Sequence, residues 1–491
     1  MKKNIIALSA IAALATTSFA ATDIEKRLGD MESQIKKLEK QLKKSNKKLN
    51  QVKAHGAKDN IKWNVDFRTA LDSIHFKHAS GSESSNPDLL TNRLHLGMGF
   101  APEDNVLFKG KLSYYKAYGD TADHGQSNTT PGYANFDWVT NENATDNALK
   151  VKEAYWLYMN DTFLGTDVAW TASIGRRPST DGLGINLREG MKDNSPLSHT
   201  VNVEFDGLSA KFNLDKVTGV EGMWWKLCTG RGLTNAKPRF QTDASSYTAD
   251  NSETHDINMY GFLFVPWDNG QYSIHTNWAR AENLIGFASN GAGYWNGTAY
   301  SPTGPFKFKS FGDMDLLTVM AKAEGIGDGI SDFLDDTKLF ASWAQSTTRP
   351  KSADVTSGGM LGSSDKKTGS SIWVGANMPC PLTDDGRIGI EWNKGSKYWR
   401  SVTYAEDTMA GSKIAARGTA VEVYYDKPLT KSLKFNARYT KIDYDYTGSQ
   451  AFFGDDGAPT DMSTINAGNA ALYGNPVKEA SDLRVSISYR F

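Results

Sequence analysis

The chain has 491 residues, a formal net charge of −1, 39% hydrophobic residues and two cysteines, Cys228 and Cys380. That balance conceals an asymmetry: residues 21–60 carry eleven Lys or Arg against six Asp or Glu, which leaves the rest of the mature chain net acidic and a poor partner for nucleic acid, and two cysteines are too few for a disulfide scaffold. Mean hydropathy is −0.49, and beyond the first twenty residues no run approaches the ~20 apolar residues of a membrane helix, so a membrane span would have to be a β-barrel.

Residues 1–20, "MKKNIIALSAIAALATTSFA", read as a secretory signal peptide: Lys2 and Lys3, an apolar run from Ile5 to Ala15, then Ser18 and Ala20 set two apart before the cleavage site. The mature chain is therefore expected outside the cytoplasm, in a Gram-negative envelope.

Residues 21–54 carry heptads. Leu28, Ile35, Leu42 and Leu49 recur at one core position, and Ile24, Met31, Leu38, Ser45 and Val52 at the other. The expected core of a parallel coiled coil is Leu28, Met31, Ile35, Leu38 and Leu42, with Arg27 of one helix near Glu32 of the next. A single amphipathic helix lying on a barrel or a membrane is the alternative. Residues 55–60 are a linker, where Gly56 breaks the helical pattern.

At Ile61 the period drops to two. Ile61, Trp63, Val65, Phe67 and Leu71 alternate with Lys62, Asn64, Asp66, Arg68 and Ala70, the signature of a strand with one apolar and one polar face. Segments of this kind, each of the ~10 residues a tilted strand needs to cross a bilayer, begin near residues 61, 89, 105, 149, 167, 201, 219, 255, 271, 314, 337, 370, 387, 417, 432 and 482. Short turns such as "APED" and "PWDNG" alternate with long loops over 119–148, 281–313 and 444–481. That alternation belongs to outer-membrane barrels, whose turns face the periplasm and whose loops face outward. In "LKVKEAYWLYM", Lys152 and Glu153 cannot share a face without a bulge.

Aromatics fall where interfacial girdles belong: Trp63, Phe100, Tyr425, Tyr489 and Phe491 toward the periplasm, and Tyr118, Trp278, Trp343 and Trp392 toward the outside. The chain stops inside an alternating strand, "LRVSISYRF". A terminus is held at its last residue when both neighbouring strands exist, as they do in a closed barrel. The expected fold is all-β: a transmembrane antiparallel β-barrel of about 16 strands over residues 61–491, or 18 if part of a long loop pairs, preceded by a short α-helical coiled coil.

The signal peptide, the strand count and the terminal Phe491 resemble the bacterial outer-membrane porins, and "SIGRRPSTDGLGINLREG" and "SHTVNVEFDG" resemble uncharacterised porin-like proteins with a coiled coil ahead of the barrel. The resemblance implies outer-membrane lipid around the barrel and a trimer. It also implies that the barrel-assembly machinery recognises the terminal strand, here Tyr489 and Phe491. In general porins the loop between the fifth and sixth strands narrows the lumen; by the strand count this is "RPSTDGLGINLREGMKDNSPLSHT", carrying Arg177, Asp181, Arg188, Glu189 and Asp193.

Opposed charges across such a constriction set its field. The candidate set is Arg68, Arg93, Arg177, Asp181, Arg188, Glu189, Asp193 and Arg438. The polar strand faces hold more Lys and Arg than Asp and Glu, which favours anions. The expected function is a porin, a water-filled channel for passive diffusion of small hydrophilic solutes and ions with a mild anion preference. The alternative is a barrel scaffold without an open pore, sheathing a periplasmic electron carrier or anchoring the envelope. The histidines and cysteines show no metal-ligand spacing and no nucleophile elbow occurs, so neither a cofactor nor an enzymatic activity is expected.

Overall fold

A computed structural model describes residues 61–120, 143–144, 147–194, 196–236, 245–252, 254–287, 308–327, 329–351, 359–403, 406–450 and 458–491. The expected signal peptide, coiled coil and linker lie outside them. One compact unit comprises Ile61–Phe100 and Asn105–Phe491; of the other, only Ala101–Asp104 are described.

Sixteen antiparallel strands close into a barrel: β1 (Lys62–His78), β2 (Glu83–Glu103), β3 (Val106–Ala117), β4 (Lys150–Asn160), β5 (Trp170–Arg177), β6 (Phe205–Asn213), β7 (Trp224–Leu233), β8 (Ile257–Asp268), β9 (Tyr272–Phe287), β10 (Phe308–Glu324), β11 (Lys338–Pro350), β12 (Thr368–Pro379), β13 (Arg387–Gly395), β14 (Gly418–Pro428), β15 (Leu433–Tyr444) and β16 (Val477–Arg490). Each pairs with its neighbours in sequence, and β1 pairs with β16. The seam is closed to its end, because Phe491 N–H donates to Val65 O at 3.0 Å and Val65 N–H to Phe491 O at 2.9 Å. Phe491 is thus pinned by main-chain bonds while its ring stands free.

The alternation in sequence is the alternation in space. Leu71, Trp156, Ile174, Ile274, Ile372, Ile390, Leu483 and Ile487 are exposed on the outside, whereas Arg68, Ala70, Asp72, Ser273, Asn277 and Arg484 point inward and are buried. Such an outer face suits hydrocarbon, not water. Between β3 and β4 the register shifts at Lys111/Leu112, leaving Lys152 as the extra residue; Lys152 and Glu153 are both buried. The bulge resolves their conflict.

Several strands are longer than their apolar signal. β2 starts at Glu83, β10 at Phe308 and β16 at Val477, because outer ends that rise past the membrane carry polar residues. The stretch from Val201 to Glu204 is not the start of β6: all four residues are buried, since the segment runs inside the barrel with both faces covered. Cys228 lies halfway along β7, and Trp278, Trp343 and Trp392 also stand well inside their strands, away from the outer rim. Wide strands carry aromatics through the band as well as at its edges.

Candidate functional site

Two loops fold into the lumen. The first, residues 178–204, carries the short helix α1 (Ile185–Glu189), ended by Gly190 at φ 60°. Leu183, Ile185, Leu187 and Leu197 pack with Met320 of β10, Phe340 of β11, Trp373 of β12 and Ile414. Gly184 sits against Trp373 so closely that a Cβ would lie 2.2 Å from the indole ring. Trp373 is fully buried, 4.7 Å edge-on from Phe340 and 5.6 Å from His199, and its Nε1–H donates to Glu391 at 2.9 Å.

The second loop, residues 396–417, meets the first. Asn202 N–H donates to Val402 O at 2.7 Å and Val402 N–H to Thr200 O at 2.8 Å. Val201, Val203 and Val402 cover the inner faces of β8 to β10 through Ile257, Ala279, Ala281, Met314 and Leu316. That side of the lumen is an apolar core.

The other side is charged. Four arginines occupy consecutive strands across the seam: Arg438 on β15, Arg484 on β16, Arg68 on β1 and Arg93 on β2, each at most 3% exposed. Arg68 stands directly opposite Arg93, and Arg438 opposite Arg484. Like charges so placed repel. They converge on Asp407 of the second loop, whose Oδ2 accepts from Arg68 Nη1 at 2.6 Å and Arg93 Nη1 at 2.7 Å. Its Oδ1 accepts from Tyr115 of β3 at 2.9 Å, Arg68 Nη2 at 3.0 Å and Arg484 Nη1 at 3.1 Å. Its carbonyl takes Arg438 Nη2 at 2.9 Å. Burial opposes ionisation of Asp407, yet Arg68, Arg484 and Arg93 hold its carboxyl well below the usual carboxylate range.

Glu189, at the end of α1, faces the same wall. Its carboxylate lies 4.0 Å from Arg438 and 3.5 Å from Arg490, and its carbonyl accepts from Arg490 at 2.7 Å. Cations at a helix C-terminus are favourable. Arg188 turns the other way, 3.6 Å from both Glu406 and Glu422 and bonded to the Glu406 carbonyl. Glu406 also accepts from Ser412 Oγ at 2.5 Å, and burial pushes its carboxyl up against the opposing pull of Lys413 and Arg188. Lys413 joins Glu391 at 2.7 Å and bonds Glu422.

Of the residues expected at a constriction, Arg68, Arg93, Arg188, Glu189 and Arg438 come together here. Asp181 contributes through its backbone, its N–H donating to Asn202 at 3.0 Å. Arg177 lies instead against the Tyr155 ring and Ser209, and Asp193 is exposed on a cavity of about 570 Å³ at the short-turn end of the barrel, shared with Lys338, Arg387, Asp426 and Lys434. Sequence reasoning places Arg484 on the polar strand face but missed Tyr115, Glu406 and Asp407. The signal for the last two was the apolar content of their loop, Trp399, Ile414, Ala415 and Ala416, too high for a solvated one. Among the described residues no trio of His, Cys, Asp or Glu is grouped to hold a metal ion.

Residues 83–491 match a family described as "Protein of unknown function (DUF3373)". No curated protein matches. Among solved structures, the chain is similar to OprB of Pseudomonas putida (13% identity, covering 88% of this chain and 94% of that one, TM-score 0.46). It is likewise similar to outer-membrane-expressed OmpT of Vibrio cholerae (12%, 88% and 97%, 0.44) and to OmpF of Salmonella typhi in complex with daunomycin (10%, 89% and 99%, 0.44). At these scores the likenesses carry no functional argument.

Proposed function

Because the chain belongs to the DUF3373 family, defined by sequence and not by activity, its function has to be inferred from the lumen, and we propose an outer-membrane porin through which small hydrophilic solutes and ions diffuse, with a modest preference for anions. The observation that carries this is the wall of Arg438, Arg484, Arg68 and Arg93 facing two loops that narrow the barrel. A basic wall in a low-dielectric passage concentrates anions. The lumen speaks against sheathing of an electron carrier: Trp373, Trp399 and Val402 are fully buried where a carrier would have to sit.

The signal sequence and apolar exterior support the outer membrane as the site of action. The heptads over 21–54 support a periplasmic coiled coil that brings barrels together, as a trimer by resemblance to porins. The main-chain anchoring of Phe491 supports Tyr489 and Phe491 as the strand end read by the barrel-assembly machinery.

Reversal potentials in planar bilayers under a salt gradient test the selectivity. The wild type is expected to pass anions in excess, most clearly below ~0.15 M salt, where the Debye length exceeds about 8 Å. Arg68→Glu with Arg93→Glu should remove or invert that excess. Clear cation preference in the wild type would refute the basic wall as the selectivity element.

A further inference from the structure

The Asp407 carboxylate is an anion held by a binding site. It accepts five hydrogen bonds from four side chains on four different strands: two from Arg68 and one each from Arg93, Arg484 and Tyr115. The two contacts from Arg68 are the bidentate fork with which arginine recognises carboxylate and phosphate. Two carboxylate oxygens do not use up the donors: Arg68 Nε, Arg93 Nε and Arg93 Nη2 are buried without a hydrogen bond. Buried donors left unmet are costly. Asp407 is also held at φ 56°, in the left-handed region that a non-glycine residue seldom adopts. A residue held in a disfavoured conformation, in a site with spare donors, is a replaceable occupant.

We infer that Arg68, Arg93, Arg484 and Tyr115 form a binding site for a tetrahedral oxyanion, phosphate or sulfate, and that Asp407 is its tethered stand-in, displaced when the free anion binds. A tetrahedral oxyanion offers two more oxygens than a carboxylate, which the unused guanidinium donors can meet. Chloride, a single centre, cannot span the fork. The tether gives Asp407 a millimolar-scale effective concentration, so in the wild type the free anion competes in that range and the 396–417 loop moves as it does so. The anion's route through the barrel rests on the channel function proposed above; the binding site itself does not.

Isothermal titration of the full-length barrel in detergent, with phosphate, sulfate, acetate and chloride at constant ionic strength, tests this. Asp407→Gly suits the backbone angle and vacates the site. It should bind phosphate or sulfate at least about tenfold more tightly than the wild type, with acetate weaker and chloride weakest. Asp407→Asn, which keeps the shape without the charge, should fall between. Equal affinity in wild type and Asp407→Gly, or chloride binding as tightly as sulfate, would overturn the site. If neither variant folds, titration of the wild type decides: sulfate or phosphate should bind in the millimolar range with acetate and chloride weaker, and no preference for the tetrahedral anion refutes the displacement. An Asp407→Gly barrel that binds sulfate but passes no current removes the channel and leaves the site, whereas one that conducts without binding removes the site alone.

Discussion

Trp373 shows whether the apolar half of the lumen is as dry as its packing implies. Replacing it with Ala deletes a ring with no exposed surface, its edge contact with Phe340 at 4.7 Å, and the donor to Glu391 at 2.9 Å. Removing a buried aromatic costs about 3–5 kcal/mol. Glu391 loses that donor but keeps Lys413 at 2.7 Å, and water enters the vacated space, so the expected loss is about 4 kcal/mol. Trp373→Phe keeps most of the ring and loses the donor, at about 1–3 kcal/mol. Equilibrium urea unfolding in micelles, read by heat-modifiable gel migration, measures both. If Trp373→Ala costs less than about 1 kcal/mol, in the range of an ordinary surface substitution, the ring stands in open water and the two loops do not close that half of the lumen.

Deleting Phe491 removes both main-chain bonds to Val65, and the yield of heat-modifiable barrel in the membrane should fall; an undiminished yield would count against the seam as its anchor. Burial holds His199 neutral, with its pKa pushed down to about 3. Its contribution to stability is therefore complete above 6.5 and drains away as pH falls from 6.5 toward 3, because only the unfolded chain takes up the proton there. His199→Phe should flatten that slope in urea titrations run from pH 7 to 4, and an unchanged slope would assign it to other groups. Replacing Leu28, Ile35 and Leu42 together with Asp should dissociate the oligomer proposed above while each barrel stays folded, as charge in a coiled-coil seam is costly; light scattering finding the wild type already monomeric would end that expectation.

The sixteen strands were legible because most of the barrel wall alternates apolar out and polar in; β8 to β10 depart from it on their inner faces, which are apolar where the loops cover them. The Lys152 bulge was legible for the same reason: two adjacent charges break the period, and the structure repairs it there. The wall arginines Arg68, Arg93 and Arg438 could be placed on the lumen side. Their partners could not. Asp407 is 339 residues from Arg68 in sequence, in a loop where no strand period fixes which way a side chain points. Val201–Glu204 misled for the opposite reason, since an alternating segment buried on both faces looks like the start of a strand.

The arginine wall straddles the place where the two ends of the chain meet. Arg68 and Arg93 are made first and Arg438 and Arg484 last, and Asp407, between them in sequence, touches both groups. In an unclosed sheet Arg68 stands beside Arg93 and Arg438 beside Arg484, two pairs of like charges that repel. Only a barrel joined in the right register brings Arg484 beside Arg68, where Asp407 bonds to both halves. A one-residue slip of β16 against β1 would turn Arg484 to the lipid face. The shared carboxylate is thus available to all four arginines in one register alone, and a misregistered barrel leaves a cation facing hydrocarbon.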